Sequence, residues 1–260
     1  MCHDSCPKPV SGGAPLTESM TTVSNEDAEI PVLLVRPEGG SAAPGIVLIH
    51  DIHGANDFYH DVARRLALAG YLVALPDLFH REGPPSGEGR QAIMARSQKA
   101  KQANQLGDLE AIATWLTGQE GCDGSFGVIG FCMGGTLTYL MAAREPRPAA
   151  GVAFYGFPAK AATTNAPIRP IDEAEVAALA TPLLGLWGEQ DTGVGMDNVA
   201  AYASALAAAG KELDDVIYPD VGHGFLTFDE ESPAYASSRD AWDRALAFLD
   251  GHLKDGSRAS

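Results

Sequence analysis

Long apolar runs without alternation recur along this chain, and each is followed by residues at helical spacing. The runs are IPVLLVRP (30–37), PGIVLIHDIHG (44–54), YLVALPDL (71–78), FGVIGF (126–131), GVAFYGF (151–157), TPLLGLWG (181–188) and ELDDVIYP (212–219). Strands read this way when both faces of a parallel sheet are covered by helices. The helical stretches between and after them are 57–70, about 90–118, 133–145, 196–210 and 233–253, several of them stopped by glycine. The pattern predicts one doubly wound α/β domain with a mostly parallel central sheet over 21–255. Residues 1–20 read as a polar, disordered tail, and 158–180 as an irregular stretch punctuated by Pro158, Pro167 and Pro170.

The 260 residues are enough for one large core, and 45% of them are hydrophobic. A net charge of −16 argues against nucleic acid as a partner, because a phosphate backbone needs clustered cations. It does not exclude an anionic small molecule, since surface charge is screened over about 8 Å at physiological salt. The N-terminus MCHDSCPKPVSGGAP lacks the basic and apolar regions of a secretion signal, and no apolar run matches a membrane span. We therefore expect a cytoplasmic protein with reduced thiols and no membrane partner. Cys122, beside Asp123 and Gly124, reads as a loop residue. Cys2, His3 and Cys6 form at most half a metal site, so neither a metal nor an organic cofactor is expected.

The fourth cysteine is different. Gly130-Phe131-Cys132-Met133-Gly134 has the G-x-nucleophile-x-G spacing of a strand–turn–helix elbow, and it sits between a predicted strand and a predicted helix. The glycines let the chain turn tightly and lift the thiol above the sheet. At a helix start, backbone N–H groups carry partial positive charge. They lower a thiol's pKa and can hold an oxyanion. An ordinary cysteine is only about 3% thiolate at pH 7, so a neighbouring base is also needed.

In such an elbow fold the chain order is nucleophile, acid, histidine. Glu189-Gln190-Asp191 follows the strand 181–188, and Asp220-Val221-Gly222-His223-Gly224-Phe225 follows the strand 212–219. Both lie just past predicted strand ends, where open α/β sheets place their sites. Cys132, Asp191 and His223 are the candidate triad, with Asp191 preferred to Glu189 because it lies further into its loop. His3 and His252 lie near the termini, His60 in a helix and His80 in a loop. His50 and His53 flank the strand end at Asp51, and packing is their default role.

These residues resemble the dienelactone hydrolase family of α/β-hydrolases. The likeness rests on G-F-C-M-G-G (130–135), W-G-E-Q-D (187–191), G-H-G-F (222–225), H-D-I-H-G (50–54), A-L-P-D-L (74–78) and G-D-L-E-A (107–111), over roughly 25–250. It implies hydrolysis of a small ester or lactone through an acyl-thiol intermediate. Cys132 would attack, His223 relay the proton and Asp191 hold the imidazole. It also implies an oxyanion hole from the N–H groups of Ile52 and Met133. The family's thiol-modulating glutamate falls at Asp51, one methylene shorter. Of two arginines that grip a substrate carboxylate, one matches Arg90, and the other position holds Thr227.

Two competing readings use the same thiol. Acyl transfer or thioester cleavage would need the same three residues. A redox or ligand sensor would need an oxidisable Cys132 without turnover, and has no use for Asp191 and His223 together. The expected partner is a small ester or lactone; the sequence does not fix the oligomeric state.

Overall fold

The computed structural model describes residues 3, 6, 8–26, 28–39, 41–158 and 171–254. The chain divides into two units, one running from His3 to Phe126 and the other from Gly127 onward. Eight strands and seven helices are present among the described residues, in an α/β arrangement whose strand pairs are mostly parallel.

The first unit opens with β1 (Leu16–Asn25) and β2 (Ala28–Pro37), an antiparallel hairpin. Next come β3 (Ala43–Ile49), α1 (Asp57–Leu68), β4 (Leu72–Pro76), α2 (Gly89–Ser97) and α3 (Gln102–Thr117). β2 pairs antiparallel with β4, and β4 pairs parallel with β3. Ile46, Val47, Leu48 and Ile49 of β3 are fully buried, as their unbroken apolar run requires. Asn56 caps α1 by accepting from the N–H groups of Phe58 and Tyr59.

The second unit carries the rest of β5 (Cys122–Phe131), then α4 (Met133–Met141), β6 (Gly151–Phe154), α5 (Glu173–Ala178), β7 (Leu183–Gly188), α6 (Met196–Ala208), β8 (Leu213–Tyr218) and α7 (Tyr235–Leu253). β5, β6, β7 and β8 are successive parallel neighbours. Trp187 anchors one core cluster with Tyr139, Val199 and Tyr202, and its indole N–H donates to Gly156 O at 2.9 Å. Each such fully buried large side chain contributes roughly 1.5–3 kcal/mol.

Three expectations need correction. The polar stretch 1–20 is not tail throughout, because β1 begins at Leu16. That strand pairs only with β2 and has one well-buried residue, Val23, while Met20 is exposed, so its sequence lacks an apolar signal. The helix expected over about 90–118 is two helices. Between Ser97 and Gln102 the chain offers nothing more apolar than Ala100, so no packing face holds it helical. The irregular stretch 158–180 contains α5, which Asp172 caps; residues 159–170 lie outside those described. No helix among the described residues is long and apolar enough to cross a membrane.

Candidate active site

β5 ends at Phe131 and α4 begins at Met133, so Cys132 alone makes the turn. Its φ is 54° and its ψ −111°, a conformation a side-chain-bearing residue adopts only under strain, at a cost on the order of 1–3 kcal/mol. Surrounding structure holds it there. Cys132 N–H donates to Phe154 O at 3.0 Å, and Thr136 N–H closes the first helical turn onto Cys132 O at 3.1 Å. Gly130 explains the tightness: a Cβ there would lie 2.1 Å from Gly134 O. The elbow can be built only with hydrogen at that position. Cys132 is 5% exposed, and Met133 is the first residue of α4.

The acid and the base come from the loops after β7 and β8. His223 Nδ1 lies 2.6 Å from Asp191 Oδ2. The other carboxylate oxygen, Oδ1, accepts the N–H groups of Gly193 and Val194, both at 3.0 Å. Asp191 is buried, whereas Glu189 is exposed. A carboxylate only accepts, so His223 donates through Nδ1, which leaves Nε2 with its lone pair as a base. Gly188 allows the two loops to meet, because a Cβ there would sit 2.3 Å from Val221 O. Gln190 N–H then bonds Val221 O at 3.0 Å.

The end of β6 and the residues just after it touch both Cys132 and His223. Phe154 O holds the Cys132 N–H. The next residue, Tyr155, also has a positive φ of 40°, and its ring lies edge-on to the His223 imidazole at 5.2 Å. Phe157 packs on the same imidazole at 5.5 Å. Nothing in the sequence singles out these aromatic neighbours beyond the run GVAFYGF that carries them. Thr227 is engaged locally. Its N–H donates to Ser238 Oγ, and its hydroxyl accepts from Asp229 N–H.

The remaining predicted residues belong to the first unit. Asp51 is fully buried just past β3. Its Oδ1 accepts the N–H of His53 at 2.7 Å, and its Oδ2 that of His3 at 2.8 Å. His50 Nδ1 lies 2.7 Å from Asp51 O, and its Nε2 accepts from Leu78 N–H at 3.1 Å. This ring is therefore a neutral bridge inside the fold, and burial pushes its pKa down to about 4. Arg90 is exposed on α2. Six residues on, Arg96 is 9% exposed, bonds Ile52 O through Nη2 at 2.8 Å, and lies 4.1 Å from the centre of the Phe79 ring. Spacing gives no hint of Arg96, since a basic residue within a helical pattern reads as a solvated one.

The other described cysteines differ from Cys132. Burial, with help from the neighbouring Asp61 carboxylate, pushes the Cys6 thiol up to about 11. Burial also raises the Cys122 thiol. No group of three or more potential ligands that could hold a metal occurs among the described residues. Cys2 lies outside them.

Known proteins resemble this chain over most of its length. A carboxymethylenebutenolidase of Rhodococcus opacus is 31% identical over 260 residues, covering 99% of both chains. A Salmonella typhimurium protein assigned as a carboxymethylenebutenolidase is 34% identical over 239 residues, 90% of this chain and 87% of its own. The crystal structure of a Klebsiella pneumoniae protein assigned as a dienelactone hydrolase superposes with a TM-score of 0.79 at 29% identity, covering 90% of this chain and 98% of that one. The model of the dienelactone hydrolase family matches residues 30–253, and the chain belongs to that family.

Proposed function

We propose that this protein cleaves small esters or lactones with Cys132 as nucleophile, His223 as general base and acid, and Asp191 as the group that fixes the imidazole. The family and its carboxymethylenebutenolidase members make it an ester or lactone hydrolase. The observation that carries the residue assignment is the 2.6 Å His223–Asp191 contact in the unit that also holds the strained Cys132.

In this reading, Cys132 Sγ bonds to the acyl carbon while its proton passes to His223 Nε2. The oxyanion takes the N–H of Met133 and, by family likeness, that of Ile52. The imidazolium then gives its proton to the leaving alkoxide as the carbon–oxygen bond breaks. Water adds to the acyl-thiol, His223 takes its proton, and the carbon–sulfur bond breaks to release a carboxylic acid. The proton on His223 returns to the sulfur. A thiol nucleophile must stay reduced, which fits a cytoplasmic setting. No cofactor enters these steps. Arg90 is our candidate contact for a substrate carboxylate. Asp51 is our candidate for tuning the thiol, so Asp51→Ala should change the rate at which Cys132 is alkylated; an unchanged rate removes it from the scheme.

The test is turnover of p-nitrophenyl acetate and of a panel of small lactones with and without a carboxylate. Cys132→Ala should abolish turnover with an unchanged circular dichroism spectrum, and Cys132→Ser should retain only a small fraction of it. Full activity in Cys132→Ala overturns the assignment. Product analysis in the presence of an added alcohol separates hydrolysis from acyl transfer. Peroxide modification of Cys132 without any ester turnover would mark a sensor instead.

A further inference from the structure

Ahead of β1 the chain has no regular secondary structure, yet the described residues between 3 and 13 are tied to the first unit at several points. One set of anchors falls on α1. Val10 N–H donates to Asp61 Oδ1. Arg65 donates from Nη2 to Lys8 O at 3.0 Å and from Nε to Asp61 Oδ2 at 2.7 Å. Asp61 is 1% exposed, so its carboxylate draws one of its partners from this segment. Gly13 closes on Leu68, where a Cβ would stand 2.6 Å from Leu68 Cδ2.

His3 carries the docking beyond α1. Its imidazole stacks on the buried Phe58 ring, with centroids 3.7 Å apart and planes 5° from parallel. Its carbonyl accepts from Asn56 Nδ2 at 2.7 Å, and its N–H donates to Asp51 Oδ2 at 2.8 Å. Three contacts of different kinds thus fix one residue of an irregular segment. Such a segment stays ordered only where contacts outweigh the conformational entropy lost. Asp51 is fully buried, and His53 N–H holds its other oxygen at 2.7 Å. A buried carboxylate stays ionised only while donors of this sort compensate its charge. One of these donors arrives from 48 residues upstream, on a segment whose release would unfold no strand or helix.

We propose that His3 is a positioning residue for Asp51: docking of the N-terminal segment along α1 fixes the Asp51 carboxylate and thereby sets the reactivity of the Cys132 thiol. This rests on the reading of Asp51 as the group that tunes Cys132. With the segment docked, both oxygens of Asp51 hold backbone N–H groups. With it released, one oxygen loses that donor, and the less compensated negative charge disfavours the thiolate.

The test is the rate at which iodoacetamide alkylates Cys132 at pH 7 in the full chain, read by peptide mass spectrometry. His3→Pro removes the N–H and the stacking ring but leaves the Lys8, Val10 and Gly13 anchors. It should slow alkylation at least about threefold, because a thiol reacts in proportion to its thiolate fraction. Deletion of residues 2–5 should do the same. His3→Phe keeps the N–H and a ring to stack on Phe58, and should restore the wild-type rate. Asp51→Ala should change the rate by itself, and adding His3→Pro to it should change nothing more, because both act through one carboxylate. An unchanged or faster rate in His3→Pro or in the deletion, or an equal loss in His3→Phe, overturns the proposal while Asp51→Ala still reports on Asp51. Further slowing by His3→Pro in the Asp51→Ala background also overturns it, since His3 would then act by another route. An unchanged rate in Asp51→Ala alone removes the role of Asp51 and the proposal with it.

Discussion

Asp191 grips His223 with one carboxylate oxygen and the backbone of its own loop with the other. Oδ2 lies 2.6 Å from His223 Nδ1, while Oδ1 accepts from Gly193 and Val194. The carboxylate is thus fixed before it fixes the imidazole. Its exposed neighbour Glu189 has no such anchor toward the ring.

Asp191→Asn should therefore disable the enzyme far more than Glu189→Gln. An amide can donate to Nδ1 and select the wrong tautomer, at a cost of about 10³–10⁴-fold in kcat. Glu189→Gln should stay within about twofold. Steady-state kinetics on p-nitrophenyl acetate decide; equal losses would remove Asp191 from the role given to it.

The elbow should not tolerate a methyl group at position 130. A Cβ on Gly130 would stand 2.1 Å from backbone oxygen Gly134 O, and backbone cannot swing aside as a side-chain tip can. Gly130→Ala should cost about 3 kcal/mol, which in a chain of this size lowers Tm by roughly 6–12 °C. Differential scanning calorimetry measures it.

Alkylation should discriminate among the thiols. The shifts of Cys6, up to about 11, and of Cys122, also upward, keep both protonated at pH 7.5. Brief treatment with iodoacetamide should label Cys132 at least tenfold faster than either, as read by peptide mass spectrometry. Labelling of Cys6 or Cys122 first would contradict this.

Acid should destabilise the fold partly through His50. Its folded pKa, about 4, lies below the 6.5 of an exposed histidine, so the unfolded chain binds the proton more readily between those values. The stability from keeping this ring neutral is complete above about pH 6.5 and is lost as pH falls toward 4. His50→Gln retains an amide at the buried bridge but does not titrate. It should be less stable at pH 7, by about 1–2 kcal/mol, yet show a flatter decline between pH 6.5 and 4 in urea titrations. A parallel decline in both proteins would assign the acid sensitivity elsewhere.

The alternation of apolar runs and helical stretches is enough to read an α/β fold, because strands covered on both faces need no alternating pattern. The placement of Cys132 in a strand–helix elbow and of His223 past a strand end is legible too: the elbow needs glycine at fixed spacing, and G-H-G-F follows β8. The edge strand β1 is not legible, because a polar strand with one neighbour carries no hydrophobic signal. Loop position favours Asp191 over Glu189 in the sequence, but the burial of Asp191, its local N–H donors and its contact with His223 exist only once the loop closes. Arg96 shows the limit most clearly. Its letters are those of any solvated helix residue, and only the packing of Phe79, Gly54 and Ile52 around it makes it a buried, unpaired charge. Spacing along a chain records which residues can face the same way; the dielectric around a charge is set by everything that packs against it.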